Sequence, residues 1–279
     1  MGLNHSRAAA RKEDQIRPEW AKMEHRVAIA GDWHSNRIAM RAALRLLHED
    51  APDVETILHL GDFNMGSGRP WADYQKSLAG AMRDYGIRRI LVTPGNHDDW
   101  GHLAKQFALH PGTPYCLPGL RAVSFLPRGH AFSIGDRRFV AFGGAASPDQ
   151  ETRVAGKDWW PEEEPTRRDM TRAVEAGPAD ILLSHETING GTTSVDTILA
   201  RPQRHVFTQA GLDASSRSRE VVTELWEALR PQLMFHGHMH VRAERRHEDG
   251  RRVYSLAAGG SAGNVGVLDL RNFSWSWLD

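Results

Sequence analysis

The chain has 279 residues, of which 40% are hydrophobic and 25% charged, and its 35 Lys and Arg side chains balance 35 Asp and Glu side chains. This length can bury one large hydrophobic core or two small ones, and the zero net charge excludes a whole-protein field that attracts nucleic acid or an anionic membrane. A single cysteine, Cys116, excludes an internal disulfide, and its apolar neighbours predict a packed thiol.

The N-terminal residues 1–24 mix charged side chains with alanine and contain only scattered apolar positions, which predicts a flexible tail or a marginal helix. They lack the apolar centre of a signal peptide, and no later run approaches the roughly eighteen apolar residues that span a bilayer. We therefore expect a cytoplasmic protein without membrane contact, whose single folded domain covers residues 25–279.

From His25 onward, apolar runs alternate with amphipathic segments, which is the pattern of strands followed by helices. The first two units each combine a strand with a helix, and a third strand follows them. The strands are predicted at residues 27–30, 56–60 and 90–93, and the helices at 38–48 and 71–85. Gly86 directly after the second helix is typical of a helix end.

Beyond residue 111 the pattern changes to short alternating runs, which predict the beginning of a second sheet. These runs lie at residues 122–125, 131–134 and 138–142. The dipeptide Gly135-Asp136 between the last two indicates a hairpin turn.

The remaining residues return to alternating helices and strands around one irregular segment. Helices are predicted at 166–176 and 219–229, and strands at 181–184 and 233–236. The polar stretch 187–216 lacks periodicity, which predicts a functional or mobile loop. An antiparallel ending with a turn at Asp249-Gly250 completes the chain.

Five of the predicted strands end in side chains that can bind metal ions. The motifs are Asp32-Trp33-His34, Gly61-Asp62, Gly95-Asn96-His97-Asp98, Ser184-His185 and Gly237-His238-Met239-His240. Ligand sites in open α/β sheets form at the carboxyl ends of the strands, so we expect these motifs to converge. Residues two apart on an extended segment point to the same side, which lets one cation contact both Asp32 and His34.

The motifs supply seven candidate metal ligands, enough for two divalent cations that share one carboxylate. Such cations, about 3.5–4 Å apart, bind phosphoryl oxygens and activate a bridging hydroxide that attacks phosphorus. Two carboxylates and a hydroxide leave the centre with a positive charge, as a phosphate site requires. His97 lies beside the candidate ligand Asn96 and is the natural proton donor to the leaving oxygen.

The ordered motifs resemble the calcineurin-like metallophosphoesterase superfamily, whose pattern is D-x-H, G-D, G-N-H-[DE], a lone His and G-H-x-H. The resemblance covers the chain from about His25 to the C-terminus and implies an α/β fold, a two-sheet β-sandwich flanked by helices. It implies a pair of Mn, Fe or Zn ions, with His97 as the catalytic acid. One metal would be bound by Asp32, His34, Asp62 and His240, and the other by Asp62, Asn96, His185 and His238.

One position departs from the family members that act as Ser/Thr protein phosphatases. Those members carry G-D-x-x-D-R-G, in which the second Asp orients the catalytic His, whereas this chain has Met65 at that place. Either Asp98, Asp99 or Asn64 orients His97, or the acid is held less tightly and the preferred leaving group is better. The departure argues against a protein phosphatase.

We therefore expect a phosphoesterase that hydrolyses a phosphomonoester or phosphodiester, with a nucleotide or another small molecule as the favoured substrate. A DNA nuclease is one alternative, which the zero net charge and the lack of a basic arm weaken. A catalytically silent scaffold of the same fold is another. Degenerate members usually lose ligands or the catalytic His, and this chain keeps all of them.

Several other side chains have competing interpretations. His236 and His59 lie inside predicted strands, which favours hydrogen-bonded core histidines over metal ligands. The pair Trp159-Trp160, followed by three Glu residues, can either stack a nucleobase or pack on the domain, and packing is favoured. The charged side chains of the polar stretch, Arg201, Arg204 and His205, can either reach a substrate phosphate as a lid or face solvent, and solvent exposure is favoured.

Overall fold

The computed structural model describes residues 24–201 and 206–279, and the predicted N-terminal tail lies outside them except for Glu24. The described strands are β1 (Arg26–Ala30), β2 (Thr56–His59), β3 (Arg89–Val92), β4 (Tyr115–Leu117), β5 (Leu120–Phe125), β6 (His130–Ile134), β7 (Arg137–Phe142), β8 (Ile181–Ser184), β9 (Leu233–His236), β10 (Ala243–Arg246), β11 (Arg252–Ser255), β12 (Val265–Asp269) and β13 (Ser274–Leu278). The described α-helices are α1 (Arg37–Asp50), α2 (Gly68–Asp84), α3 (Trp100–Leu109), α4 (Arg167–Glu175), α5 (Thr193–Ala200) and α6 (Gln209–Leu229).

Two mixed sheets form the centre of the molecule. The first has the strand order β13-β12-β1-β2-β3-β5-β4, and the second has the order β10-β11-β9-β8-β7-β6. Strands β1, β2, β3 and β5 are parallel, as are β7, β8, β9 and β11. Parallel neighbours present their carboxyl ends on the same edge of a sheet, so the loops after β1, β2, β3, β8 and β9 can meet.

The alternation of side chains in β1 explains the layered packing. Ala28 and Ala30 pack in a core formed with α1 and α2, whereas Val27 and Ile29 pack in a second core between the two sheets. A third core joins the outer face of the second sheet to α4 and α6. The structure therefore confirms the predicted α/β fold of two sheets flanked by helices.

Helices α1 and α3 begin soon after ligand-bearing loops, at side chains that cap them. The Asn36 side chain accepts hydrogen bonds from the backbone of Ile38 and Ala39, at 3.0 and 3.1 Å, and α1 starts there. Asp99 caps α3 in the same way by accepting from His102 N at 2.9 Å. Each loop is thus held between a strand end and a fixed helix start.

The prediction missed α3 and assigned one strand to the wrong sheet. Only Trp100 and Leu103 of α3 are buried, so the helix leaves little periodicity in the sequence. The predicted run 122–125 lies in β5, which pairs with β3 of the first sheet instead of beginning the second. The hairpin turn at Gly135 is confirmed between β6 and β7, with a positive φ of 56°.

The prediction of a loop over residues 187–216 was wrong. This stretch contains α5 and the beginning of α6, which are capped by the side chains of Thr192 and Thr208. The first turns of α6 bury small residues, Gly211, Ala214, Ser215 and Ser218, against the segment around Pro148. A helix face built from glycine and serine gives no apolar periodicity, which explains the error.

Two further expectations concern the exposure of Cys116 and membrane contact. Cys116 is exposed, with its Sγ 3.3 Å from the Ser124 hydroxyl, so the prediction of a packed thiol was wrong. Its neighbours Tyr115 and Leu117 alternate to the other face of a strand and take the apolar contacts. Within the described residues, no helix combines the length and apolarity needed to cross a bilayer.

Candidate metal centre

The five predicted motifs come together at the carboxyl ends of β1, β2, β3, β8 and β9. Ligand atoms of Asp32, His34, Asp62 and His240 all lie within 4.8 Å of one another. In this first cluster, His34 Nε2 is 3.6 Å from Asp62 Oδ2, and His240 Nε2 is 3.5 Å from Asp32 Oδ1. Four side chains from three separate loops thus surround one point.

A second cluster lies on the other side of Asp62. His185 Nε2 is 3.3 Å from Asp62 Oδ1 and 3.0 Å from Asn96 Oδ1. The His238 ring centroid is 5.0 Å from that of His185. The two oxygens of Asp62 therefore face the two clusters separately, Oδ2 toward the first and Oδ1 toward the second.

Neighbouring groups fix the direction in which the candidate ligands of the second cluster point. Leu60 O accepts from His185 Nδ1 at 2.7 Å, which leaves Nε2 free to face the cluster. The Asn96 amide nitrogen donates to Ser147 Oγ at 2.9 Å, so its oxygen is the atom turned toward His185. These contacts orient lone pairs toward one point, as metal ligands require.

The carboxylates of the centre are buried and in part unpartnered. Asp32 Oδ1 accepts from His238 N at 3.0 Å, but within the described residues Asp32 Oδ2 is buried without a hydrogen-bond donor. A buried carboxylate oxygen that lacks a partner is costly unless a cation neutralises it. The residues present therefore fit a divalent cation at the first cluster.

The electrostatics agree with this donor set. Burial by itself would raise the pKa of Asp62, but the imidazoles of His185, His97 and His34 lower it well below its usual range. A hydrogen bond to Asp32 raises the pKa of His240. Ionised carboxylates thus attract positive charge into the centre.

The backbone of the ligand-bearing loops is strained. Five of the seven candidate ligands have positive φ values, namely Asp32 (51°), His34 (48°), Asp62 (49°), His238 (65°) and His240 (53°). Each such non-glycine conformation costs on the order of 1–3 kcal/mol and persists only where the surroundings enforce it. The concentration of strain at these positions indicates that the loops are shaped by the site and not by local preference.

Two glycines allow the loops to approach closely. A Cβ added to Gly95 would lie 2.2 Å from Asp62 N, and one added to Gly237 would lie 2.3 Å from Asp32 Oδ2. Neither position has room for a side chain, because backbone or carboxylate atoms of the neighbouring loop occupy that space. The glycines of the Gly-Asn-His and Gly-His-x-His motifs therefore serve to bring the ligands together.

We expect the variant Gly95→Ala to bind metal about 10–100-fold more weakly. This is the typical effect of substituting a residue that does not bind the metal but holds its ligands in place. The added methyl group would push Asp62 away from His185. Metal content after dialysis against a defined Mn²⁺ concentration measures this. Gly80→Ala in α2 is the matched control, since nothing lies within 4 Å of its Cβ position. Equal metal content in both variants would contradict the proposed packing role.

His97 lies at the edge of the centre, and Arg153 contacts it. The Arg153 guanidinium nitrogens are 3.3 and 3.0 Å from the His97 ring nitrogens, and Asp149 binds the same guanidinium at 2.9 Å. The His97 ring centroid is 5.4 Å from that of His34. Burial lowers the pKa of His97 to about 4, and Arg153 adds to the lowering.

None of the three residues proposed from the sequence to orient His97 shows that contact among the described hydrogen bonds. Asp98 is fully buried and accepts from Met65 N at 2.9 Å and from Gly95 N at 2.8 Å, so it ties two ligand loops together. Asp99 caps α3, and Asn64 accepts from Ser35 Oγ through its backbone oxygen. Arg153, which the sequence analysis did not select, takes the place beside His97.

Ser147 and Glu163 support Asn96 from behind and were likewise missed. Glu163 Oε1 accepts from Ser147 N at 3.0 Å, and the Ser147 hydroxyl contacts the Asn96 amide. Glu163 is fully buried, and burial raises its pKa to about 8. The run of small residues ending at Ser147 and the three Glu residues after Trp160 were visible in the sequence, but nothing there pairs them.

We expect Glu163→Gln to stabilise the folded protein above neutral pH and to leave it unchanged near pH 5. Between the ordinary Glu pKa of 4.5 and about 8, the folded chain holds a proton that the unfolded chain releases, so stability from this group falls as pH rises through that window. Thermal unfolding across that window measures the effect, with exposed Glu162→Gln as the control. If the stability of wild type and of Glu163→Gln changed with pH in the same way, Glu163 would not hold a proton in the folded chain.

His236, His59 and Trp160 have structural roles. His236 is buried, with Nε2 3.2 Å from Thr187 Oγ1, and His59 packs edge-on against Trp33 with ring centroids 4.6 Å apart, so both are the core histidines that were predicted. The Trp160 ring fills the space beside Gly101 of α3, in agreement with packing. Arg201 is exposed as expected, whereas Arg204 and His205 lie outside the described residues.

Two packed sheets carry clustered carboxylates and imidazoles at the carboxyl ends of their parallel strands. This combination of fold and site defines the metallophosphoesterase class. The calcineurin-like phosphoesterase model matches residues 25–242, more than half of the chain. The chain belongs to the calcineurin-like phosphoesterase family. No curated protein matches the sequence.

Two solved structures illustrate the shared fold. The protein TT1561 of Thermus thermophilus is 14% identical, with a TM-score of 0.52, and the match covers 91% of this chain and 97% of that one. A dimetal phosphatase from Danio rerio is 9% identical, with a TM-score of 0.51, and the match covers 88% of this chain and 92% of that one. At these identities the similarity concerns the fold.

Proposed function

We propose that the chain is a dinuclear metal-dependent phosphoesterase that hydrolyses a small phosphomonoester or phosphodiester, with Mn, Fe or Zn as the metals. The observation that carries this proposal is the position of Asp62, whose two oxygens face two separate clusters of ligand atoms, at 3.6 Å from His34 and 3.3 Å from His185. A carboxylate in that position suits two cations that share it. The first would be held by Asp32, His34, Asp62 and His240, and the second by Asp62, Asn96, His185 and His238.

Two divalent cations held by these residues would neutralise phosphoryl charge and would supply a water of lowered pKa as the nucleophile near neutral pH. The chain's own contribution is to hold their ligands in fixed directions through the backbone bonds to Asp32 and Asp62 and through Ser147 and Leu60. Catalysis of phosphoryl transfer depends mainly on such positioning and on charge stabilisation.

His97 and Arg153 face the same region and have complementary tasks in this proposal. Arg153 can only donate, and its guanidinium lies within hydrogen-bond distance of both His97 ring nitrogens, so it fixes the orientation of the ring. We assign His97 to donate to the leaving oxygen and Arg153 to hold the ring and supply a fixed positive charge. Leaving groups that need little protonation suit this arrangement, in keeping with the departure at Met65.

The proposal is tested by metal analysis together with a substrate panel. Protein purified without chelator is expected to contain close to two metal ions per chain. With added Mn²⁺ it is expected to hydrolyse p-nitrophenyl phosphate, bis-p-nitrophenyl phosphate or cyclic nucleotides, with DNA and dinucleoside polyphosphates in the same panel. Two bound metals without any hydrolysis would favour the silent scaffold, and substantially less than two metals would contradict the dinuclear centre.

We expect Arg153→Met to lower kcat by about 10²-fold, the effect of small misplacements of a reacting group. Methionine keeps much of the length of the side chain and removes the guanidinium from His97 and Asp149. Steady-state kinetics on a p-nitrophenyl ester measure the change, and metal content must stay at the wild-type value. Arg167→Met, which removes an exposed arginine paired with Glu224, is the matched control. An unchanged kcat would contradict the role assigned to Arg153.

A further inference from the structure

A cavity of about 390 Å³ lies beside the candidate metal centre. The ligands His238 and His240, with Met239 between them, form one side of it. Apart from Pro148, the other lining residues come from α5, from α6, and from Arg201 and Phe207, two described residues that lie between these helices in the chain. A phosphate ester bound at the centre would therefore have its organic group next to this space.

The walls combine apolar side chains with polar ones. Ile198, Leu199, Leu212 and Phe207 supply apolar surface, and the same cavity is lined by Arg201, Gln209, Ser215 and Arg219. A cavity of this size, whose apolar walls carry a few placed polar groups, is typical of small-molecule sites, which span roughly 300–1,000 Å³. Inorganic phosphate or the ester of a small alcohol would leave such walls without contact.

Arg219 has unused hydrogen-bonding capacity. One of its terminal nitrogens donates to Ser215 Oγ at 2.7 Å, but its Nε is buried and has no acceptor among the described residues. A guanidinium carries five N–H donors, so an acceptor atom of a ligand in the cavity can use terminal donors that Ser215 does not. A planar guanidinium also stacks on flat aromatic rings. Leu212 and Phe207 can contact the face of such a ring.

We propose that this cavity binds the organic group of a phosphate ester, and that this group is a flat heteroaromatic ring with acceptor atoms, as in a nucleoside. The inference rests on the proposed function and deepens it, because it names the substrate class that the same centre takes. Arg219 supplies the polar contact, and Leu212 and Phe207 supply the apolar ones.

Three phosphodiesters with the same leaving group separate binding of the organic group from the reactivity of the bond that is cleaved. Methyl p-nitrophenyl phosphate, bis-p-nitrophenyl phosphate and thymidine 5′-(p-nitrophenyl) phosphate differ only in the group that stays on phosphorus. With Mn²⁺, kcat/KM is expected to be at least about tenfold higher for the thymidine ester than for the methyl ester, the effect of one good hydrogen bond plus apolar contact. Calorimetric binding of thymidine 5′-monophosphate gives a readout that does not depend on turnover.

Two variants and one control assign the effect to the cavity. Arg219→Met and Phe207→Ala are each expected to reduce the thymidine-to-methyl ratio at least about fivefold and to weaken thymidine monophosphate binding by a similar factor. Arg217→Met removes an exposed arginine from the same helix and should keep the ratio. Thermal unfolding checks that each variant is folded, and Phe207→Ala tests the cavity even if Arg219→Met does not fold.

The outcomes for the cavity and for the centre can be told apart. Equal kcat/KM on all three esters, or a ratio that neither variant changes, would overturn the cavity assignment and leave the phosphoesterase proposal standing. Hydrolysis of none of the esters by metal-loaded wild type would count against the proposed function itself. Binding of thymidine monophosphate that depends on Arg219 and Phe207 would still support the cavity in that case.

Discussion

Asp62→Ala is expected to reduce kcat/KM by at least about 10³-fold, because removing a carboxylate that both clusters share forfeits several kcal/mol of charge stabilisation. Its two oxygens face His34 and His185, and it also accepts from His97 N at 2.9 Å. One substitution therefore disturbs both clusters and the loop that carries His97.

Metal content and kinetics should be measured on the same preparation of Asp62→Ala. The expected result is fewer than one metal ion per chain together with the loss of activity. Asp84→Ala removes an exposed carboxylate that pairs with Arg41 at 3.4 Å and serves as the control for the general loss of a negative charge. Full metal content with wild-type turnover in Asp62→Ala would refute the shared ligand.

The second large effect is expected for His97→Ala on esters with poor leaving groups. General acid catalysis contributes typically about 10²–10⁴-fold, and an alkyl leaving group needs the whole of it. A p-nitrophenyl leaving group is stable as an anion and should lose much less. The difference between the two losses isolates proton donation from any general damage to the site.

Alkyl and p-nitrophenyl esters of the same phosphate, assayed with His97→Ala and with wild type, give this comparison directly. The variant must retain wild-type metal content, since it is His97 N that donates to Asp62 and the backbone stays in place. His110→Ala, which changes a histidine at the exposed end of α3, is the control. Equal losses on both esters would mean that His97 acts by packing or binding and not as an acid.

The convergence of the candidate ligands could be predicted from the sequence because these residues closely follow buried strands. Strand order brings Asp32, Asp62 and Asn96 to one edge of the first sheet, and the same rule brings His185 and His238 to the second. The prediction therefore needed only local patterns and a general rule about parallel sheets. Which ligand serves which cation remains a proposal.

The residues that surround the ligands could not be found in that way. Arg153 lies 56 positions from His97 in the sequence, in an irregular segment beside the short 3₁₀ turn Gln150–Thr152. Glu163 and Ser147 are joined by a backbone N–H, which no sequence pattern records. Contacts of this kind depend on how a loop folds over the sheet edge and not on the spacing of residue types.

Small residues hid part of the fold for a related reason. The start of α6 packs so closely on the loop at Pro148 that a Cβ on Gly211 would lie 2.1 Å from the Pro148 oxygen. Close packing selects glycine and serine, and these are the residues that sequence patterns assign to loops. The first turns of α6, which border the cavity, were concealed in the sequence for this reason.

The main-chain bonds to the two carboxylates have a consequence for the protein when a chelator strips it. His238 N holds Asp32 Oδ1 at 3.0 Å, and His97 N holds Asp62 Oδ1 at 2.9 Å, each from a neighbouring loop. These bonds are made by the polypeptide alone, so we expect demetallation to leave the loops in register. Reloading is then expected to be a local event whose rate is set by ion dehydration and access, unlike that of small domains that refold around their metal.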